Sequence, residues 1–135
     1  MKKNTILLII IVISALGLIG CQDKEFNAFT DNFEELYLDI VESVEVSNTL
    51  KSLQSLQSEE KKEKIEELEI LLESIESDAK NNHQEQYNRY VKRYKRLMLL
   101  VNSYDKWDNL TEDEKTEIGL AIVTISYWKD NKLDE

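Results

Sequence analysis

The sequence predicts an all-α fold, an antiparallel up-and-down bundle of about four helices that follows a cleaved N-terminal segment. The chain contains no proline, and after Gly20 its only glycine is Gly119, so it lacks the residues that tight turns of hairpins and sandwiches require. Every long apolar pattern recurs at steps of three and four residues, the period of a helix. Short polar segments separate these patterns, and helices joined by short links pack antiparallel.

The first helix is predicted from an apolar stripe on one helical face, opposite a face of acidic residues. The stripe consists of Phe26, Phe29, Phe33, Leu36, Ile40 and Val44. The short polar side chains of Ser47, Asn48 and Thr49 compete for backbone hydrogen bonds and favour a helix end. We therefore expect the first helix to end before these residues.

The second helical region spans residues 49–78 and has a break predicted near Ser58. Its apolar residues are Leu50, Leu53, Leu56, Ile65, Leu68, Leu72, Ile75 and Ala79. Ser58 is a candidate N-cap, because Glu59 and Glu60 follow it in the position where acids favour a helix start. The part from 59 to 78 is strongly acidic, with nine acids against three lysines.

The third helix is predicted after the polar link Asn81-Asn82. Its stripe is Tyr87, Tyr90, Tyr94, Leu97, Val101 and Tyr104. From Leu97 to Val101 the helix is apolar all round, which predicts that this half is the most deeply buried part of the domain. Between Lys80 and Lys106 there are seven basic residues against two acids. A basic helix among acidic helices is expected to be their common neighbour.

The fourth helix is predicted to begin at a capping box, in which Thr111 accepts from the amide of Glu114 and the Glu114 side chain reaches back. Its core face is Ile118, Ala121, Ile122, Ile125 and Trp128. Residues 121–128 also have strand propensity. We reject a strand because the chain has no second strand-like run to pair with it.

The first 20 residues have the three parts of a secretory leader: the basic residues Lys2 and Lys3, an apolar run from Ile6 to Ile19, and a small residue before the cut. The run is shorter than the roughly 20 apolar residues of a membrane span. A cleaved leader is therefore favoured over an uncleaved anchor, and both place the body of the protein outside the cytoplasm.

The leader ends in Leu18-Ile19-Gly20-Cys21, which resembles the lipobox of bacterial lipoproteins. The resemblance implies that diacylglycerol is attached to the thiol of Cys21 and that signal peptidase cuts between Gly20 and Cys21. It implies a signal peptide at 1–20, a lipid-anchored tether at 21–25 and one helical bundle domain at 26–135. The mature protein would be anchored in the cell membrane and face the cell surface or periplasm, since two or more acyl chains anchor a protein stably.

Charge and cysteine content restrict the possible partners. The whole chain carries a net charge of −10, and removal of Lys2 and Lys3 with the leader lowers it by two, to −12. This charge argues against nucleic acid as a partner. With Cys21 lipidated, no thiol is left for a disulfide.

Residue types that carry catalysis or bind metals do not form a site in this sequence. The only histidine is His83, and Lys80 stands where a Glu-x-x-His metal motif needs its glutamate. We therefore interpret His83 as a solvated residue of a polar link. A nucleophile motif is also missing, so we expect no enzyme activity, no cofactor and no metal.

The third helix carries the candidate partner-binding residues Tyr87, Tyr90, Arg93 and Tyr94. Tyrosine and arginine concentrate binding energy at protein interfaces. The alternative interpretation is structural: the tyrosines pack inside the bundle and the arginines pair with glutamates of helix two.

The sequence therefore predicts a lipid-anchored, non-catalytic protein-interaction module of the bacterial cell envelope. An immunity or exclusion lipoprotein, an assembly factor and an adhesin all fit this class, and the residues do not rank them. The alternative function is a carrier that binds a small apolar ligand or lipid between its helices, which would require a cavity.

Overall fold

The computed structural model describes residues 21–131, with side chains from Lys24 to Asp130, and this part of the chain is helical without strands. The α-helices are α1 (Cys21–Val41), α2 (Thr49–Ser55), α3 (Glu59–Asn82), α4 (Gln84–Ser103) and α5 (Glu112–Asn131), and a 3₁₀ turn lies at Trp107–Asn109. The all-α bundle prediction is confirmed. The described residues form five α-helices, because the second predicted region divides at Ser58.

The leader, with Leu18, Ile19 and Gly20 of the lipobox, lies outside the described residues, as does the side chain of Cys21. The residues expected to form a tether, 21–25, are the first turns of α1. Within the described part of the chain, no helix has the length and apolar character that a membrane span needs.

Helices that follow one another along the bundle pack antiparallel. α1 packs against α3, α3 against α4 and α4 against α5. The amine of Lys61 near the start of α3 donates to the carbonyl oxygen of Asp39 near the end of α1, at 2.5 Å. α5 also contacts α1, where its C-terminal Trp128 packs edge-on against Tyr37 at 5.1 Å.

The core is a single cluster of apolar side chains contributed by all five helices. Its centre is aromatic: Phe33 of α1 lies edge-on to Tyr90 of α4 at 4.9 Å, and Phe29 lies edge-on to the same tyrosine at 5.4 Å. Edge-to-face pairs of this kind contribute about 0.5 to 1.5 kcal/mol beyond their burial. The basic helix α4 thus packs against α2, α3 and α5 and reaches α1 through its tyrosines.

The prediction that Leu97–Val101 is the most deeply buried part of the domain is wrong. Leu97 and Leu100 are buried, but Met98 and Val101 are half-buried and Leu99 is 39% exposed. The reason is that α4 packs between α3 and α5 and its outer side faces solvent. Leu50 on α2 is likewise 46% exposed, although it belongs to the predicted apolar pattern.

The helix starts predicted at Ser58 and Thr111 are confirmed in atomic detail, and Asn48 caps α2 in the same way. Asn48 Oδ1 accepts from the amide of Lys51 at 3.0 Å, and Ser58 Oγ accepts from the amide of Lys61 at 3.2 Å. In the capping box, the amide of Glu114 donates to Thr111 Oγ1 at 3.1 Å, while the amide of Thr111 donates to the Glu114 carboxylate at 3.0 Å. These bonds lower the pKa of Glu114, because they favour its charged form.

Two lysines from other helices satisfy carbonyl groups near the C-terminal end of α1, one in its last turn and one in the segment that follows it. Lys61 is buried and donates to the carbonyl oxygen of Asp39, while Lys129 of α5 donates to the carbonyl oxygen of Val44 at 2.8 Å. The last carbonyls of a helix lack partners within the helix and attract positive charge. These contacts join α1 to α3 and α5.

Candidate partner-binding face

The four candidate binding residues of the sequence lie mainly inside the bundle. Tyr87, Tyr90 and Arg93 are 5%, 8% and 1% exposed, and Tyr94 is half-buried. Their side chains therefore do not form a solvent-exposed surface in this structure. A direct role in partner binding stays a prediction, and the burial favours the packing interpretation.

The tyrosine hydroxyls connect α4 to two neighbouring helices. Tyr87 donates to the carbonyl oxygen of Leu72 on α3 at 3.0 Å, and Tyr90 donates to the carboxylate of Glu34 on α1 at 3.2 Å. Burial raises the pKa of Tyr87, with a smaller contribution from nearby glutamates of α3. The pKa of Tyr94 is raised in the same way, by burial and then by the Glu69 carboxylate, to which it is hydrogen-bonded.

Arg93 lies between two aromatic rings. Its guanidinium carbon is 4.2 Å from the ring centroid of Trp128 on α5 and 4.9 Å from that of Tyr90. A cation over a ring face is attracted by the negative face of the ring, and the attraction is stronger when water is excluded. Arg93 therefore holds α4 against α5 from inside the bundle.

Among the described residues, the exposed large apolar side chains concentrate on α5. Leu120 is 61% exposed, Val123 is 48% exposed and Tyr127 is 59% exposed. Their spacing of three and four residues places them on one side of α5, opposite its buried residues Ile118, Ala121, Ile122, Ile125 and Trp128. One apolar side of α5 packs in the core, so the second apolar side is available to bind another partner.

This exposed stripe of α5 was not predicted, although its signal is present in the sequence. Residues 121–128 form a nearly continuous apolar run, in which a core-facing stripe and a solvent-facing stripe are interleaved. Periodicity identified one of the two stripes as core and left the other unassigned.

A groove of about 450 Å³ runs between α4 and α5. From α4 it is lined by Lys92, Lys95, Arg96 and Leu99, and from α5 by residues that include Glu117 and Leu120. We define the α4/α5 face as the α4 residues Lys92, Lys95, Arg96 and Leu99 together with the α5 residues Glu117, Leu120, Val123 and Tyr127. It combines exposed apolar residues with basic residues from α4 and an acid from α5, and protein interfaces also combine apolar and charged residues.

The two helices of this face carry opposite charge. The outer side of α4 presents Lys92 and Lys95, which are exposed, and Arg96, which is half-buried. The exposed charges of α5 are acidic: Glu112, Asp113, Glu114, Glu117 and Asp130. The two lysines of α5 are directed elsewhere, Lys115 over the ring of Trp107 at 5.1 Å and Lys129 to the carbonyl oxygen of Val44.

His83 is not the solvated residue that the sequence suggested. It separates α3 from α4, is half-buried, and stacks on the ring of Phe26 with centroids 4.3 Å apart. Asn81 and Asn82, expected to form the link, are the last residues of α3. Among the described residues, no group of three or more His, Cys, Asp or Glu side chains is placed to hold a metal ion.

Comparison with known proteins gives no match: no protein-family model, no curated protein and no solved structure is significantly similar to this chain. A functional proposal therefore rests on the residues and the geometry described above.

Proposed function

We propose that the protein is a lipid-anchored, non-catalytic protein-interaction module of the bacterial cell envelope, with its helical domain on the extracytoplasmic side. The proposed location is supported by the leader and by the lipobox Leu18-Ile19-Gly20-Cys21. The binding function is supported by the α4/α5 face.

The observation that carries this proposal is the apolar stripe of α5. Leu120, Val123 and Tyr127 are each about half exposed or more, and Leu99 of α4 extends the stripe across the groove. A contiguous exposed apolar patch with a polar rim is typical of an interaction site. Tyrosine is one of the residue types that contribute most binding energy at such sites.

The structure favours a binding module over a carrier of a small apolar ligand. A carrier needs a concave pocket that encloses most of its ligand. The depressions beside α4, of about 500 and 450 Å³, are open to solvent and lined in part by lysines and arginines. Between the helices, aromatic rings pack against one another at the centre of the core.

The binding function is tested by capture of envelope proteins from native membranes with the wild-type chain and with Leu120→Glu. We expect the substitution to remove the specifically captured protein, because it places a charge in the centre of the α4/α5 face. Leu50→Glu is the matched control, since Leu50 is an exposed leucine on α2, away from this face. If Leu120→Glu captured the same protein as well as Leu50→Glu does, the proposed site would be contradicted.

The anchor is tested separately by Cys21→Ser with a labelled fatty acid. Because the thiol is the acceptor of the lipid, the variant should incorporate no label and accumulate as an uncut precursor. Wild-type labelling in the variant would remove the lipoprotein assignment and leave the binding function untouched.

A further inference from the structure

We propose that the α4/α5 face binds a second copy of this chain, with the two copies related by a twofold axis that runs along the groove, parallel to α4 and α5. The inference rests on the proposed function only in using the same face as the binding site. It identifies the occupant of that face.

The charge pattern of the face selects this occupant. Lys92 and Lys95 form the basic rim of the groove on α4, and the exposed acid Glu117 forms its acidic rim on α5. A uniformly charged partner, such as an anionic bilayer or an acidic protein, would be attracted to one rim and repelled by the other. A partner that presents the two signs in reversed order is attracted to both.

A second copy presents that reversed order. Rotation by 180° about an axis along the groove places α4 of one copy over α5 of the other and leaves every residue at its own height along the helices. Lys95 and Glu117 line the same groove, so Lys95 of each copy would lie near Glu117 of the second copy. Such an interface uses the same patch twice, as closed dimers do.

The apolar residues then occupy the centre of the interface. Leu99 of one copy would lie within about one helical turn of Leu120 of the other, because the two leucines line the same groove. Two adjacent helices of 20 residues present a face roughly 30 Å long and about 20 Å wide. This size is comparable with the roughly 800 Å² per partner of a standard interface.

The direction of the axis also agrees with the proposed anchor. α1 and α4 begin at the same end of the bundle, since Phe26 near the start of α1 stacks on His83, the residue before α4. An axis parallel to the helices keeps this end of both copies on one side. Both copies of Cys21 could then be anchored in one membrane, whereas an antiparallel pairing of the two α5 helices would place them at opposite ends.

The first experiment measures the mass of a chain of residues 22–135 by sedimentation equilibrium. Every core residue lies between Phe26 and Trp128, so this chain contains the complete core, and its circular dichroism spectrum reports whether it folds. We expect a dimer at about 100 µM, above the roughly micromolar Kd of a modest interface. Leu120→Glu should be monomeric with an unchanged spectrum, and Leu50→Glu should remain dimeric.

The second experiment tests the rims by complementation between chains. Lys95→Glu and Glu117→Lys each place like charges opposite each other in a homodimer, and we expect each to weaken dimerisation about tenfold or more. Mixed in equal amounts, the two variants should form a heterodimer about as tight as the wild type, because both rim pairs are again of opposite charge. This rescue requires contact between two chains, because each variant alone has charges of the same sign at positions 95 and 117.

The third experiment distinguishes the two possible twofold arrangements by disulfide trapping. The 22–135 chain contains no cysteine, so Leu99→Cys and Leu120→Cys can be made as single variants and mixed under oxidising conditions. The proposed axis predicts that the mixture forms more crosslinked dimer than either variant alone. Efficient crosslinking of Val123→Cys to itself, without the mixed product, would overturn this axis in favour of antiparallel α5 helices.

A monomer at about 100 µM, far above the expected Kd, would overturn the second-copy proposal. If Leu120→Glu then still removed a captured envelope protein, the α4/α5 face would bind a different protein and the proposed function would stand. If the chain dimerises but captures no envelope protein, the second-copy proposal is supported. The proposal that this face binds a different envelope protein is then contradicted.

Discussion

The inner and outer sides of α4 show how burial assigns different roles to similar residues. Arg93 and Tyr90 on the inner side are buried and contact rings of α1 and α5. Lys92 and Lys95, one and two residues from Arg93, are exposed on the rim of the groove. The positive charge of Arg93 thus stabilises packing between helices, whereas the charges of Lys92 and Lys95 are available to bind a partner.

The same contrast applies to tyrosines. Tyr90 is 8% exposed and donates a hydrogen bond to Glu34, whereas Tyr127 on α5 is 59% exposed. A stripe of tyrosine and arginine therefore does not by itself identify a binding surface. The position of the neighbouring helices decides which of these side chains another protein can contact.

The largest difference between the two sides is expected for charge reversal. Arg93→Glu would place a carboxylate against the negative faces of the Tyr90 and Trp128 rings. Leaving a buried charge uncompensated costs about 3 to 5 kcal/mol of the free energy of unfolding. Lys95→Glu makes the same change in charge at an exposed site and should cost about 0.5 kcal/mol or less.

Urea unfolding of both variants at a low protein concentration measures this difference without a contribution from dimerisation. An equally small cost for Arg93→Glu would show that Arg93 is exposed in solution, and the distinction between the two sides of α4 would fail.

Truncation of tyrosines should give the next largest difference. Tyr90→Ala removes a buried ring that packs against Phe29 and Phe33, and we expect a loss of about 3 kcal/mol. Tyr127→Ala should change the free energy of unfolding by only about 0.5 kcal/mol, because the ring is largely exposed. The melting temperatures of the two variants provide the measurement, and a larger drop for Tyr127→Ala would reverse the assignment.

Alkaline pH should affect the inner side through its tyrosines. The pKa values of Tyr87 and Tyr94 lie above the usual value of 10.0 in the folded state, so the folded chain keeps protons that the unfolded chain loses. The associated stability is fully present below pH 10.0 and is lost as pH rises through the folded pKa values. Tyr87→Phe combined with Tyr94→Phe should reduce this loss in unfolding experiments above pH 10.0, and an unchanged pH dependence would contradict the burial of these hydroxyls.

The smallest effect on folding is expected at the centre of the outer side. Leu120→Ala removes apolar atoms that are mostly in contact with solvent, so the free energy of unfolding of the monomer should change by about 0.5 kcal/mol or less. A loss above about 2 kcal/mol, which is typical of a buried leucine, would show that Leu120 belongs to the core.

Local features of this protein were determined by the sequence. The starts of α2, α3 and α5 were predictable from Asn48, Ser58 and Thr111, because each side chain bonds an amide three residues further on. The helical period likewise identified most of the core, including Phe26, Phe33 and Ile125. These interactions depend on residues that are close in the chain, so the sequence contains the information they need.

Only the tertiary structure decided which side of each helix is covered. Periodicity assigns residues to a side of a helix but does not specify what packs on that side, and α4 and α5 have apolar residues on more than one side. Lys61 and Lys129 satisfy carbonyl groups of Asp39 in α1 and of Val44 just after it, from helices distant in the chain, which no local pattern predicts. The α4/α5 face has the same origin, because its residues are 18 or more positions apart across the groove, from Leu99 to Glu117, and become neighbours only when the two helices pack.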